Sequence, residues 1–381
     1  MPAPIYLDHN ATTPVAPEVA EAMATALRNS FGNPSSGYAL GREAAEQVAT
    51  ARGAVASLIG APAESLIFTG CATEANNLAL LGVARACSPG KRHLIISAVE
   101  HPAVMAPARY LEAQGWRLTI VPVDETGQVS AEAVVDAVRP DTALVSIMLA
   151  NNEVGTLQPV ADIARQLAGH DVLLHTDAAQ AVGKIAIDVE TLGIDLLTIA
   201  GHKFQASKGV GALYVREGTP IRSVLFGAGH EKGLRPGTEN VPAIIGLGVA
   251  ANLAARRLAK NDTTLHDRRD QLHQRLSTDI PGLCLNGHAE ARLPNTLNVS
   301  FPSVSGQALL DAARDTVMAS VGSACHSGES APSGVLGAMG LDTARALGAV
   351  RLSVGWDTTA EEVATAAAAL VQAWRHLTDG R

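Results

Sequence analysis

Short apolar runs alternate with stretches of helical spacing along the first two-thirds of the chain. Two alanine-rich stretches, residues 74–86 and 161–167, have helical spacing, and the apolar runs have the length of buried strands. The predicted strands cover residues 66–68, 94–96, 118–121, 143–148, 172–174, 196–199 and 212–215. Continuous apolar strands separated by helices are typical of a mostly parallel sheet covered on both faces. We therefore predict an α/β fold built on a mostly parallel seven-stranded sheet, with ligands beyond the carboxyl ends of its strands.

The pattern changes after about residue 250. A long helical stretch leads into a strand-like run at 295–301, a Gly/Ser loop and a final helix from Ala360. We predict a large ligand-binding domain over residues 15–250 and a smaller α+β domain over residues 251–381. The N-terminal arm, residues 1–14, is expected to join the smaller domain.

Charge and composition narrow the classes of partner. The formal net charge is −8, whereas nucleic acids and anionic membranes favour basic surfaces. Direct nucleic-acid binding and membrane binding are therefore not expected, while a basic partner protein remains open.

No segment has the features of a membrane span, a secretory signal or a metal site. No run reaches the roughly 18 apolar residues of a span, and the N-terminus lacks a basic segment followed by an apolar one. The four cysteines are widely spaced and form no CxxC pair. We expect free thiols, no bound metal and a cytoplasmic location.

A lysine follows directly after a predicted buried strand, in the segment Leu-Leu-Thr-Ile-Ala-Gly-His-Lys that ends at Lys203. A desolvated amine has a lowered pKa and can form a Schiff base. The alternative is a lysine that reaches the surface from the strand end. This fragment alone does not decide between the two.

A carboxylate, Asp177, stands at the end of the apolar run before that strand. A carboxylate in this place can pair with a protonated pyridine nitrogen, as in pyridoxal-phosphate enzymes. It can also simply cap the next helix. Asp177 and Lys203 together favour the cofactor interpretation more than either does alone.

The segment Thr-Gly-Cys-Ala-Thr, residues 69–73, takes a strand into a helix. It places backbone N–H groups and the Thr73 hydroxyl at a helix N-terminus, which suits a phosphate. The chain has no GxxxxGK[ST], and no GxGxxG follows a strand. A small phosphorylated cofactor therefore fits better than a nucleotide, and we interpret Cys71 as a packing residue.

Four further residues are candidates for the site. His101 and Asn152 each follow a predicted strand, although a lone loop histidine is more often a hydrogen-bonded surface residue. Cys325 lies among glycine and serine, where a thiol is accessible and therefore reactive. Arg351 is a cation within an apolar strand and needs a carboxylate, from either a substrate or a structural salt bridge.

Taken together, these segments resemble the NifS/IscS family of cysteine desulfurases and their relatives, the selenocysteine lyases. The resemblance runs nearly end to end. The matching segments, in order, begin at Tyr6 (YLDHNATTP), Gly32 (GNPSS), Ala72 (ATE), Glu100 (EH), Asn151 (NNE), His175 (HTDAAQ), Gly201 (GHK) and Arg235 (RPGTEN). Such an ordered set is far more specific than any single motif.

The resemblance implies a fold type I homodimer that binds pyridoxal 5'-phosphate. Lys203 is then the covalent attachment point and Asp177 the partner of the pyridine nitrogen. Gln180 contacts the ring hydroxyl, His101 stacks on the ring, and Asn152 lies beside the cofactor.

The phosphate and the substrate have their own implied contacts. Ala72, Thr73 and His202 bind the phosphate, together with Thr238 of the neighbouring subunit. Asn152 and Arg351 hold the substrate carboxylate.

The implied reaction converts L-cysteine to L-alanine, with Lys203, Cys325 and His101 as catalytic residues. Cys325 takes the sulfur as a persulfide and passes it to a sulfur-acceptor protein. Such acceptors serve iron–sulfur cluster assembly, tRNA thiolation or DNA sulfur modification.

Some local features differ from the family pattern. The family often has serine where this chain has Ala200, which implies weaker phosphate binding. The segment at Cys325 (Cys-His-Ser) and the one at Phe226 (Phe-Gly-Ala-Gly) are more similar to selenocysteine lyases. Selenocysteine lyase is therefore the alternative activity. A catalytically silent scaffold is the non-enzyme alternative, which the presence of both Lys203 and Cys325 disfavours.

Overall fold

The computed structural model describes residues 3–321 and 333–379. The strands are β1 (Ile5–Tyr6), β2 (Leu66–Thr69), β3 (His93–Ser97), β4 (Arg117–Val121), β5 (Thr142–Ser146), β6 (Leu173–Asp177), β7 (Leu196–Ala200), β8 (Gly211–Val215), β9 (Cys284–Asn286), β10 (Thr296–Ser300), β11 (Val317–Met318) and β12 (Ala349–Ser353). The helices are α1 (Pro17–Asn29), α2 (Ala39–Leu58), α3 (Ala72–Ala86), α4 (Pro102–Ala113), α5 (Ala131–Asp136), α6 (Val160–Leu167), α7 (Val189–Leu192), α8 (Val241–Ala259), α9 (Thr264–Asp279), α10 (Gly306–Ala313), α11 (Gly334–Ala338), α12 (Thr343–Leu347) and α13 (Ala360–Asp379).

A seven-stranded sheet forms the centre of the molecule, with strand order β2-β8-β7-β6-β5-β3-β4. All its pairs are parallel except those of β8, which runs antiparallel to β2 and β7. The seven predicted strands and the predicted α/β class are confirmed. Because β2, β3, β5, β6 and β7 run in the same direction, their carboxyl ends meet at one edge.

Alternating residues of the strands point to opposite faces, and helices cover each face. Ile67 and Leu94 pack with α3 and α4 in one core cluster. Phe68 and Ile95 belong to the other cluster, with α2 and α8. This two-sided burial explains why the strands are apolar at every position rather than at every second one.

A smaller sheet follows, with order β12-β10-β9 and antiparallel pairing. With α9, α10 and α13 it encloses a separate core cluster. The N-terminal arm contributes Leu7 to this cluster, and β1 pairs with β11. The arm therefore connects to the C-terminal part of the chain.

Helix α8 passes through position 250 without a break, and its buried residues Leu253 and Ala254 belong to the large cluster. The domain boundary after residue 250 stays a prediction. Helix α8 is the one described helix long and apolar enough to span a membrane, and 56% of its most apolar window is buried. It packs on α1 and α2, as a core helix does.

Candidate active site

A cavity of about 330 Å³ opens where the carboxyl ends of the central strands meet. Nine of the eleven residues predicted for the site line it: Ala72, Thr73, His101, Asn152, Asp177, Gln180, His202, Lys203 and Arg351. Thr238 is exposed and is not among the lining residues. Cys325 lies outside the described residues. One cavity thus collects side chains that are spread over 280 positions of the chain, from Ala72 to Arg351.

Asp177 is the last residue of β6 and is 6% exposed. Its Oδ2 accepts a hydrogen bond from Asn76 Nδ2 at 2.7 Å, and its Oδ1 accepts one from the Ala179 backbone N–H at 2.9 Å. A carboxylate has about four lone-pair sites, so these contacts orient Asp177 and leave acceptor capacity. The carboxylate can therefore make these local contacts and still accept a hydrogen bond from within the cavity that it lines.

Lys203 ends the short 3-10 helix Gly201–Lys203 that follows β7. Its Nζ donates to the backbone oxygens of Asn10 at 2.6 Å and Ala11 at 2.8 Å. The amine is therefore held at the cavity by the N-terminal arm rather than extended to the outer surface. The alternative, a lysine that reaches the surface from the strand end, does not describe this side chain.

Helix α3 begins at the cavity wall. Its N-cap, Cys71, makes no side-chain capping hydrogen bond and is exposed, so the interpretation of Cys71 as a packing residue is wrong. Cys71 lines the cavity together with Ala72 and Thr73 of the first turn. Gly211 makes this approach possible, because an added Cβ would lie 2.9 Å from the Cys71 carbonyl carbon. The uncapped first-turn N–H groups and the helix dipole make this corner suited to an anion.

His101 is the N-cap of α4, and its Nδ1 accepts a hydrogen bond from the Ala103 backbone N–H at 3.0 Å. The pKa of His101 is lowered, mainly by desolvation inside the cavity, although the residue keeps contact with solvent. The nearby charge of Lys203 lowers this pKa further, and that of Asp177 partly offsets the decrease. A neutral ring with Nδ1 as acceptor carries its proton on Nε2.

His202 and Glu100 have strongly shifted pKa values next to these groups. Burial, together with Lys203, lowers the pKa of His202 to about 4. Burial raises the pKa of Glu100 to about 8; Glu100 Oε1 accepts hydrogen bonds from Ser97 Oγ and the Met148 backbone N–H. Both groups are therefore mostly uncharged at neutral pH, so neither a His202 cation nor a Glu100 anion contributes a full charge next to the cavity.

Arg351 lies in β12 and is 3% exposed. One terminal nitrogen, Nη2, is 2.6 Å from Asp8 Oδ1, and Nη1 donates to the Asn152 backbone oxygen at 3.1 Å. The salt-bridge alternative is thus realised, with a partner from the N-terminal arm. The hydrogen bonds to Asp8 and Asn152 use two of the five guanidinium N–H groups, so Arg351 retains donors for a second anion.

Comparisons with known proteins identify the family of the chain. The family model for aminotransferase class-V matches residues 5–365. The chain belongs to the aminotransferase class-V family. The predicted NifS/IscS resemblance is confirmed by the relatives that follow.

Cysteine desulfurases are among the similar members of this family. The cysteine desulfurase IscS of Dictyoglomus turgidum (strain DSM 6724 / Z-1310) is 44% identical over 360 residues, which cover 94% of this chain and 91% of that protein. A solved NifS-like protein has a TM-score of 0.91 at 38% identity and covers 97% of this chain and 98% of its own. SspA, solved in complex with cysteine, has a TM-score of 0.81 at 35% identity, with coverage of 92% and 98%. These relatives support a cysteine desulfurase function.

Sequence reasoning did not assign several residues of this class-V site. Asn10 and Ala11 of the arm line the cavity, and so does Asn76 of α3. Asn76 stands three positions after Thr73, on the same helix face, so the helical period could have identified it. Asn10 could not have been identified in this way, because its contacts reach residues more than 140 positions away.

Proposed function

We propose that this protein is a pyridoxal-phosphate-dependent cysteine desulfurase in which Cys325 receives the sulfur. The observation that carries the proposal is the convergence of nine predicted site residues on one cavity at the carboxyl edge of the sheet. Cys325 itself enters only through its sequence context, because it lies outside the described residues.

The donors and acceptors around the cavity fit the cofactor ring. Asp177 keeps acceptor capacity for a pyridine N–H, and Asn76 fixes its orientation at 2.7 Å. Lys203 supplies the amine for covalent attachment, and His101 supplies a flat, neutral ring. Gln180 supplies a carboxamide whose Nε2 already donates to the Asn10 backbone oxygen.

The corner at α3 fits the phosphate. Uncapped N–H groups at Ala72 and Thr73 point from a helix N-terminus, and the Thr73 hydroxyl adds a further donor. His202 Nδ1 is 3.1 Å from the Thr12 hydroxyl, which ties this wall to the arm. A dianionic phosphate would be the main negative charge at this corner.

The substrate side is built around Arg351. The guanidinium is fixed by Asp8 and by the Asn152 backbone oxygen, while its Nε remains without a partner among the described residues. A carboxylate of an amino acid is the anion that suits such a donor group. We propose that Arg351 and Asn152 bind the carboxylate of cysteine.

The proposed chemistry divides among these residues. The bound cofactor supplies an electron sink for negative charge that develops on the substrate. Lys203 moves the proton of the substrate Cα, and Arg351 holds the carboxylate in place. The Cys325 thiolate forms an S–S bond as the substrate Cβ–S bond breaks, and Cβ takes up a proton. Cysteine and the Cys325 thiol thereby give alanine and a Cys325 persulfide.

A homodimer completes the proposed site. Thr238 is exposed and is not one of the residues that line the cavity, which is consistent with a role in the neighbouring subunit. The chain also exposes Phe31 (75%), Tyr38 (58%) and Phe226 (91%), apolar surface of the kind that an interface covers.

The persulfide then passes to a sulfur-acceptor protein, and we propose a cytoplasmic location for this transfer. Cys71, Cys87 and Cys284 are free thiols in the described part of the chain, which suits a reducing compartment.

The visible absorbance of lysine-bound cofactor tests the proposal. The purified protein with pyridoxal phosphate should show this band, and Lys203→Ala should lose it. Lys208→Ala, which changes an exposed lysine five positions away, should keep it. A full band in Lys203→Ala would contradict the attachment point and with it the proposed chemistry.

A further inference from the structure

Lys184 is a buried lysine behind the wall of the cavity. It is 7% exposed and is not one of the residues that line the cavity. Within residues 3–321 and 333–379 it makes no salt bridge with a carboxylate. Burying an amine without a carboxylate is costly, so its neutral hydrogen-bond partners need an explanation.

Those partners are two carboxamide oxygens. Lys184 Nζ donates to Gln180 Oε1 at 2.8 Å and to Asn10 Oδ1 at 3.4 Å. Gln180 Nε2 in turn donates to the Asn10 backbone oxygen at 2.9 Å. The Gln180 oxygen is therefore turned toward Lys184, and only the N–H side of the carboxamide remains for the cavity that Gln180 lines.

The reverse orientation of Gln180 is unfavourable. It would direct the carboxamide oxygen at the Asn10 carbonyl oxygen, which is only an acceptor, and, when Lys184 is charged, it would direct the NH₂ group at a cation that can only donate. Without Lys184, the buried Gln180 oxygen would lose the one hydrogen-bond donor that it has among the described residues. Buried acceptors without a partner cost about 1–3 kcal/mol, enough to favour rearrangement of the side chain.

Asn10 extends this network to the attachment lysine. The same backbone oxygen that accepts from Gln180 accepts from Lys203 Nζ at 2.6 Å. The Asn10 side chain also donates to Thr296 Oγ1 at 2.8 Å, which connects the arm to the smaller sheet. Lys184 thus holds one end of a chain of contacts whose other end is the amine of Lys203.

The groups that face Lys184 are cationic or neutral. Burial lowers the pKa of Lys184 well below its usual value, with further lowering from Lys203 and Arg351. The charge of Lys184 in turn contributes to the lowered pKa values of His9 and His202. A charged or a neutral amine both carry at least two N–H donors, so the contact with Gln180 exists in either state.

We propose that Lys184 is a positioning residue: it holds the Gln180 carboxamide so that an N–H, and not the oxygen, faces the ring hydroxyl of the cofactor. The inference rests on the proposed function. An N–H donor at that oxygen favours its ionised form. Lys184 therefore tunes the proton balance between the ring hydroxyl and the nitrogen of Lys203.

The test is a pH titration of the visible band of the holoenzyme. Lys184→Met should raise the titration midpoint by at least roughly 0.5 pH unit, because the donor to the ionised oxygen is weakened. Gln180→Leu should raise it as well, and the double variant should add little to Gln180→Leu alone. Lys91→Met is the control, since it removes another lysine amine that donates to an oxygen, the Thr142 backbone oxygen, at the opposite edge of the sheet. Its midpoint should not change.

Two results would overturn the proposal: an unchanged midpoint in folded Lys184→Met, or full additivity in the double variant. Should Lys184→Met fail to fold, Lys184→Gln takes its place, because it is uncharged but keeps an N–H donor. A midpoint near that of wild type then supports positioning, and a shift as large as that of Gln180→Leu contradicts it. Absence of the band from the wild-type protein would instead count against the proposed function.

Discussion

Asp8 and Arg351 form an ion pair across 343 positions of the chain, with Asp8 Oδ1 2.6 Å from Arg351 Nη2. Asp8 belongs to the N-terminal arm and Arg351 to β12, in the smaller sheet. The pair fixes the guanidinium at the cavity and leaves Nε without a partner among the described residues. The arm thus prepares the cation that we assign to the substrate carboxylate.

Asp8→Asn should weaken substrate binding more than it slows turnover. The substitution keeps an acceptor oxygen but removes the charge that holds Arg351. A charge-assisted hydrogen bond contributes about 1.5–3 kcal/mol, which corresponds to a rise in KM for cysteine of roughly tenfold or more. Steady-state kinetics of alanine release measure this KM and the turnover rate. Asp315→Asn, in an exposed pair with Arg314, is the control, and an equal KM in both variants would contradict the role of Asp8.

Glu100→Gln should flatten the dependence of stability on pH. Burial raises the pKa of folded Glu100 from 4.5 to about 8, whereas the unfolded chain ionises near the usual value. The protonated carboxyl therefore favours folding at low pH, and this contribution is lost as the pH rises from about 4.5 through about 8. Glutamine keeps the acceptor for Ser97 and Met148 without an ionisable group.

The measurement is urea unfolding of the cofactor-free protein at pH 5 and pH 8. Wild type should lose about 3 kcal/mol more unfolding free energy than Glu100→Gln between these two values. An equal loss in both proteins would show that Glu100 does not titrate in this range.

Mixed dimers test the placement of Thr238. Lys203→Ala and Thr238→Ala should each reduce activity in homodimers. If Thr238 serves the neighbouring subunit, a mixed dimer of the two variants contains one site with both residues intact. Its activity should approach half that of wild type. A mixed dimer no more active than the average of its parents would place Thr238 in its own subunit or outside the site.

Ala200→Ser should tighten cofactor binding. Ala200 is the last residue of β7, is fully buried and pairs with Gly211, which abuts the start of α3. A hydroxyl here adds a donor near the phosphate corner, and one hydrogen bond of about 1 kcal/mol lowers Kd roughly fivefold. Equilibrium dialysis with pyridoxal phosphate measures this change. Ala143→Ser is the control, because Ala143 is buried near the amino end of β5, whereas the cavity lies at the carboxyl ends of the strands. This variant should not lower Kd.

The sequence predicts the sheet and most of the cavity because these features leave local patterns. Each central strand is a continuous apolar run, and Asp177 and Lys203 stand where such runs end. The contacts of Asn10 with Lys184 and of Asp8 with Arg351 leave no such pattern, since they join residues 174 and 343 positions apart. The N-terminal arm contacts Lys203 only in the folded chain, through the backbone oxygens of Asn10 and Ala11.

The most direct test of the account is the fate of sulfur from cysteine in the purified holoenzyme. Alanine release and the mass of the peptide that contains Cys325 are measured together, with Cys325→Ser as the control and selenocysteine as a second substrate. We expect alanine from cysteine, a gain of one sulfur atom on Cys325, and neither in Cys325→Ser. Alanine from selenocysteine alone, with Cys325 unmodified, would contradict the account and identify a selenocysteine lyase.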